Sequence, residues 1–227
     1  MVDYLNLGQK TDDGYTRIRL VTISGSGGGV DCRYYHTAGA SKAVIWVGGV
    51  GGGWDTPARG LYPLLSQKLI RKEINSLRVR FRYPTDLYES VIDVIEGIHF
   101  LEQQGIKSVG LVGHSFGGAV VIQAAAAAEA SSSSSSDSVW TVVTLSTQSY
   151  GTEGVSRLKK GNSILLIHGT DDKVLPPYCS SNVYNLANDP KEIIFYKGAT
   201  HGLDEAAEEV HQKMHDWLVK YLNKSEL

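Results

Sequence analysis

Ser115 sits in Gly113-His114-Ser115-Phe116-Gly117, a G-x-S-x-G pentapeptide between the apolar stretch SVGLVG (108–113) and an alanine-rich run. The pentapeptide alone says little. With a buried strand before it and a helix directly after it, the motif makes a strand–turn–helix elbow that lifts the hydroxyl above the carboxyl ends of a sheet. Gly113 and Gly117 leave room for so tight a turn, and Gly118 eases helix–strand contact. The hydroxyl then lies at a helix N-terminus, where free N–H groups and the dipole favour negative charge. Serine attacks only when a base takes its proton. His201, in GATHG (198–202), is the candidate base. A carboxylate must hold the imidazole tautomer and stabilise the imidazolium. SILLIHG (163–169) runs straight into TDDKVLP (170–176), which offers Asp171 and Asp172. An oxyanion hole needs two N–H donors, the first being the backbone of Phe116, the residue after the nucleophile.

Strand-like and helix-like stretches that would position these groups alternate along the chain. TRIRLVTIS (16–24) and VDCRYYH (30–36) flank a glycine-rich turn and read as an antiparallel hairpin. AVIWV (43–47), LRVRF (77–81), SVGLVG, WTVVTLS (140–146), SILLIHG and EIIFYKG (192–198) are short apolar strands. Helices are expected over 61–72, 86–104, the alanine-rich run after Ser115, and 203–222. Apolar strands alternating with helices predict an α/β fold, a mostly parallel sheet of about seven to eight strands with helices on both faces. The hairpin predicts an antiparallel strand at one edge. The serine run 131–136 reads as a flexible surface loop inside a single domain spanning 1–227.

Taken together, these features resemble the α/β-hydrolase fold family over roughly residues 16–222, in which the order serine, acid, histidine also holds. HGTDDKVLP resembles the family's H-G-x-x-D-x-x-V-P-like stretch. That resemblance puts the acid role on Asp172, with Asp171 as the fallback. In the glycine loop 48–54, the family's His-Gly aligns with Gly48-Gly49, which implies Val50 as the second oxyanion donor and Gly51 as its near competitor. The chain is most similar in character to small dienelactone-hydrolase-like esterases and prolyl-oligopeptidase-type catalytic domains. Dienelactone hydrolases carry a cysteine nucleophile where this chain has Ser115.

The 227 residues hold 22 basic and 24 acidic side chains, a net charge of −2 that invites neither nucleic acid nor a solvating acidic tail. Two cysteines, Cys32 and Cys179, are too few for a disulfide scaffold and read as reduced thiols, Cys179 a packed one near the acid loop. No apolar h-region opens the chain, and no apolar run reaches the roughly 18 residues of a membrane helix. A soluble, cytoplasmic protein is expected. GGVGGG (48–53) lacks both the GK[ST] ending and the G-x-G-x-x-G spacing of nucleotide loops. His211 and His215 stand four apart with no third ligand evident and read as a solvated helix face, so neither metal nor cofactor is expected. His168 reads as structural at a strand end, His114 as packing beside the elbow, and Asp93 as a solvent or capping contact.

About 16 residues separate WTVVTLS from SILLIHG, too few for a cap domain, so the site should be open. Trp54, Gln148, Tyr150 and Tyr178 are expected at its rim. Two functions fit. One is a serine hydrolase cleaving small carboxylic esters or thioesters through an acyl-enzyme, as monomer or homodimer, with carboxylesterase ahead of thioesterase, peptidase and acyltransferase. The other is a non-catalytic scaffold of the same fold that binds a small ligand or a protein.

Overall fold

A computed structural model describes residues 2–22, 24–131 and 138–224, and of 129–131 the backbone alone. In chain order the strands are β1 (Asp3–Asn6), β2 (Thr16–Thr22), β3 (Gly28–Tyr35), β4 (Lys42–Val47), β5 (Ile74–Val79), β6 (Ser108–His114), β7 (Val139–Leu145), β8 (Ser163–Gly169) and β9 (Lys191–Tyr196). The helices are α1 (Pro57–Ile70), α2 (Leu87–Gln103), α3 (Phe116–Ser131), α4 (Tyr178–Leu186) and α5 (Ala207–Leu222). The strands form one sheet in the order β1-β2-β3-β5-β4-β6-β7-β8-β9. β1, β2, β3 and β5 pair antiparallel in turn, and every pair from β5–β4 to β8–β9 is parallel.

Burial explains the strand sequences. The inner strands β4 to β8 are covered on both faces and read as near-continuous apolar runs. β2 alternates strictly, with Ile18 and Leu20 inward and Arg17, Arg19 and Val21 outward. One core, against α2, α3 and α4, gathers residues such as Val94, Ile98, Val120 and Val183. The other, against α1 and α5, gathers Trp46, Leu65, Trp217 and Leu218.

From β4 the chain moves to β5 on one side, and from β6 to β7 on the other. The crevice between the carboxyl ends of β4 and β6 is therefore the topological switch point, where open α/β sheets bind ligands. The elbow after β6 and the glycine loop after β4 both open there.

The structure departs from the sequence reading at several points. Among the described residues there are nine strands where about seven to eight are expected, because β1 pairs along β2 although all four of its residues are exposed. Helix α4 covers the crossover from β8 to β9, where no helix is read from the sequence. The serine run lies outside the described residues except Ser131, which ends α3. Asp93 is neither solvated nor a cap: it is fully buried and accepts from the Arg82 backbone N–H (2.8 Å) and Nε (2.6 Å), fastening the β5–α2 connection. His211 turns off the solvated face, its Nε2 2.7 Å from the Ala58 carbonyl.

That carbonyl belongs to an unusual helix start. Ala58, Arg59 and Gly60 are left-handed, so α1 becomes regular only afterwards, near the expected residue 61. The turn is tied to the loop after β9: Ala58 N–H donates to the Gly202 carbonyl (2.7 Å) and Arg59 N–H to Asp204 Oδ1 (2.8 Å). Between β7 and β8 there is one short 3-10 turn, Glu153–Arg157, and no cap domain.

Candidate active site

Ser115 joins β6 to α3 with φ at +57°, a left-handed conformation costing a non-glycine residue roughly 1–2 kcal/mol. Packing over-determines it. A side chain at Gly113 would strike the Gly117 carbonyl, one at Gly117 the Gly48 carbonyl, and one at Gly118 the Thr147 hydroxyl. Ser115 N–H donates to the Leu145 carbonyl of β7 (2.9 Å), and its own carbonyl accepts from Gly118 N–H (3.0 Å), opening α3. The glycine loop runs against Ser115: a Cβ built on Gly49 would lie 3.3 Å from Ser115 Cβ and 3.6 Å from its Oγ. Tyr62 Oη anchors the base of that loop by donating to the Val47 carbonyl (2.9 Å).

Of the two aspartates, Asp172 meets the histidine. Its Oδ2 lies 2.7 Å from His201 Nδ1, while Oδ1 accepts from Val174 N–H (2.8 Å) and Leu175 N–H (2.9 Å). Asp171 is exposed and accepts from Thr170 Oγ1. Burial alone would raise the Asp172 pKa. The Leu175 N–H, the His201 ring and the Val174 N–H outweigh it, and the carboxyl ends below its ordinary value of 3.8. An ionised carboxylate only accepts, so His201 Nδ1 carries a proton, and in the neutral ring Nε2 then keeps its lone pair. That is the tautomer able to receive a proton. Among the described residues Ser115 Oγ and His201 Nε2 make no hydrogen bond to each other, a contact that in unliganded sites often tightens only with substrate.

Two further histidines steady this pair. His168 is fully buried, with Nε2 3.1 Å from Asp172 Oδ2 and 2.8 Å from the Leu175 carbonyl. Both partners accept, so Nε2 bears the proton, and Nδ1 accepts from the Ser180 hydroxyl (2.7 Å). The residue read as structural at a strand end thus holds the acid loop. His114, just before Ser115, donates from Nε2 to the His201 carbonyl (3.0 Å), the two rings 4.8 Å apart.

Burial lowers the His114 pKa from 6.5 to about 4, and lowers that of His168 as well. On unfolding both rings bind protons below about pH 6.5, so the unfolded state binds more protons than the fold. This contribution is fully present above pH 6.5 and is lost as pH falls toward 4, about 3 kcal/mol from His114 alone. Urea unfolding midpoints measured between pH 7 and 4 should fall steeply. In His114→Asn, whose amide can still donate to His201, they should fall less; an unchanged slope would remove His114 from the account.

Of the four residues expected at the rim, Tyr150, on the loop after β7, and Tyr178, at the start of α4, are 78% and 61% exposed, and Gln148 Nε2 donates to the Tyr150 carbonyl (2.8 Å). Trp54 faces Arg33, whose guanidinium lies 4.1 Å from its ring centre. Tyr83 and Val174, on the loops after β5 and β8, and Tyr88, in the first turn of α2, are further exposed apolar residues that the sequence reading did not single out. Their type and place after strands were the available signal. Among the described residues, no three His, Cys, Asp or Glu gather where they could hold a metal ion. No helix there is long and apolar enough to cross a membrane.

No protein-family model matches the sequence, and no curated protein does. Solved structures do match. A dienelactone hydrolase from Anabaena variabilis ATCC 29413 superposes at TM-score 0.75 and 18% identity, covering 92% of this chain and 100% of that one. Est1E from Butyrivibrio proteoclasticus gives 0.73 at 14% identity, over 93% of this chain and 100% of its own. An esterase from Pyrococcus furiosus gives 0.72 at 16%, over 92% and 93%. At such identities a superposition speaks to architecture. With the sheet order, the elbow at the switch point and the missing cap, it establishes that this chain has the α/β-hydrolase fold.

Proposed function

We propose that the protein is a serine hydrolase that cleaves carboxylic esters or thioesters through an acyl-enzyme. The observation that carries this reading is the 2.7 Å contact of His201 Nδ1 with Asp172, made beside a serine held left-handed at a strand–helix elbow. His201 Nε2 takes the Ser115 proton as Oγ adds to the acyl carbon, and Asp172 stabilises the imidazolium. The oxyanion accepts from the N–H groups of Phe116 and Val50, donors that typically contribute about 10²–10³ each in rate. As the tetrahedral species collapses, His201 returns the proton to the departing alcohol or thiol. Water then enters, gives its proton to His201 as its oxygen adds to the acyl carbon, and on collapse His201 returns that proton to Ser115 Oγ as the acid departs. Side chains carry every proton, so the chemistry needs no cofactor.

If the exposed Tyr83, Tyr88, Tyr150, Val174 and Tyr178 form the rim of the capless edge, they favour small esters with an apolar or aromatic acyl group. The similar Est1E has been solved with ferulic acid, an aromatic acid, bound. We take the enzyme to act on soluble substrates in the cytoplasm.

Intact-mass labelling with a fluorophosphonate tests the proposal. One adduct, mapped by peptide sequencing to Ser115 and suppressed by p-nitrophenyl esters, is the expected result. No adduct on folded protein would overturn it in favour of a binding scaffold of the same fold.

A further inference from the structure

Strand register gathers arginines on the part of the sheet that α1 and α5 leave uncovered. Arg17 of β2 lies directly opposite Arg33 of β3, and Arg33 opposite Arg78 of β5. One step along, Arg19 faces Asp31, and Arg80 follows β5 with its N–H on the Asp31 carbonyl (3.0 Å). Like charges set directly across strands repel. A merely solvated sheet face would mix signs, yet here a single carboxylate serves the group. Asp31 pairs with Arg19 Nε at 2.7 Å and reaches Arg80 Nη1 at 4.0 Å. Among the described residues Arg17 and Arg33 have no carboxylate at ion-pair distance. Arg33 is instead held between Trp54 and Tyr15, 4.1 and 5.0 Å from their ring centres. Arg78, buried beneath, donates from Nη2 to the Trp54 carbonyl (2.7 Å).

Arg17, Arg19, Arg33, Arg80, Asp31 and Trp54 line a half-open cavity of about 350 Å³ to which none of Ser115, Asp172 and His201 contributes. Every cation on the wall is an arginine, whose rigid fork matches two oxygens of one anion. In a chain of net charge −2, such a concentration of positive charge is unexplained by solubility. We propose that this cavity is a binding site for a small phosphoryl-bearing molecule, whose phosphate oxygens take the unpaired guanidinium groups of Arg17 and Arg33. Trp54 forms part of its wall at the end of the glycine loop, so an occupant would also rest against the loop whose Gly49 lies against Ser115.

The binding claim stands apart from the hydrolase reading, and its test reads binding alone. The full-length protein is titrated calorimetrically with pyrophosphate, and with citrate, at matched ionic strength in chloride. A single pyrophosphate site with Kd below about 1 mM is expected. Arg17→Gln and Arg33→Gln should each weaken it tenfold or more, and Arg17→Lys should weaken it as well, because the fork is lost though the charge is kept. Relief of repulsion should leave the anion-free Tm of Arg17→Gln equal to or above that of the parent, which separates lost binding from lost folding. No saturable heat with pyrophosphate, or unchanged affinity in both glutamine variants, overturns the site. Equal affinity for citrate overturns the phosphoryl assignment.

Discussion

Ser115→Gly is expected to abolish ester turnover and, in the same molecule, to leave the fold more resistant to denaturant than Ser115→Ala. Loss of a nucleophile that works as a unit with its base costs on the order of 10⁶ in kcat. Both variants should lose it alike. Their stabilities should part, because the residue sits at φ +57°, where a Cβ costs roughly 1–2 kcal/mol and glycine is at ease. Glycine's freer unfolded chain takes back about 0.5–1 kcal/mol, so the net gap should be of order 1 kcal/mol in favour of glycine. Hydrolysis of p-nitrophenyl esters and urea midpoints read the two effects separately. Turnover above a hundredth of wild type in Ser115→Ala would sink the mechanism. A glycine variant weaker than the alanine one would mean the elbow stores no strain.

Asp172→Asn should lower kcat by about 10⁴, and Asp171→Asn by less than twofold. The asymmetry follows from hydrogen-bond polarity. Asp172 Oδ2 faces two N–H donors, His201 Nδ1 and His168 Nε2, while Oδ1 faces the N–H groups of Val174 and Leu175. An asparagine must keep its oxygen toward the two backbone donors and turn its NH₂ toward the rings. His201 then has to accept at Nδ1 and move its proton to Nε2, the atom that must receive the proton of Ser115. Asp171, exposed and bonded to Thr170, imposes no tautomer. Side-by-side kcat values for the two variants decide it, and the reverse ranking would move the acid role to Asp171.

Why the elbow was legible and other features were not comes down to the range of the causes. Gly113, Ser115 and Gly117 are a local backbone constraint written in consecutive residues, so strand, turn and helix could be read together. The sequence alone left Asp171 and Asp172 open, because adjacent residues differ only in which way the turn aims them. β1 escaped notice because an edge strand with both faces wet shows neither an apolar run nor alternation. β5 begins at Ile74, three residues before the apolar stretch, with Asn75 buried against the Tyr34 hydroxyl (3.0 Å) rather than turning the chain. YCSSNVYNL has poor helix propensity, and α4 forms because parallel β8 and β9 require a crossover that packs Val183. The arginine cavity depends wholly on cross-strand register, which joins residues some sixty positions apart.

The left-handed turn at Ala58, Arg59 and Gly60 has a dynamic consequence. Its hydrogen bonds to Gly202 and Asp204, and the grip of His211 on the Ala58 carbonyl, splice the segment after β4 to the segment bearing His201. Two stretches of chain more than 140 residues apart therefore share one opening free energy. A fluctuation that withdraws the loop bearing His201 must also break the turn that opens α1. Capless and open to solvent on its outer side, the candidate catalytic edge is fastened from beneath, as a keystone holds an arch without a roof.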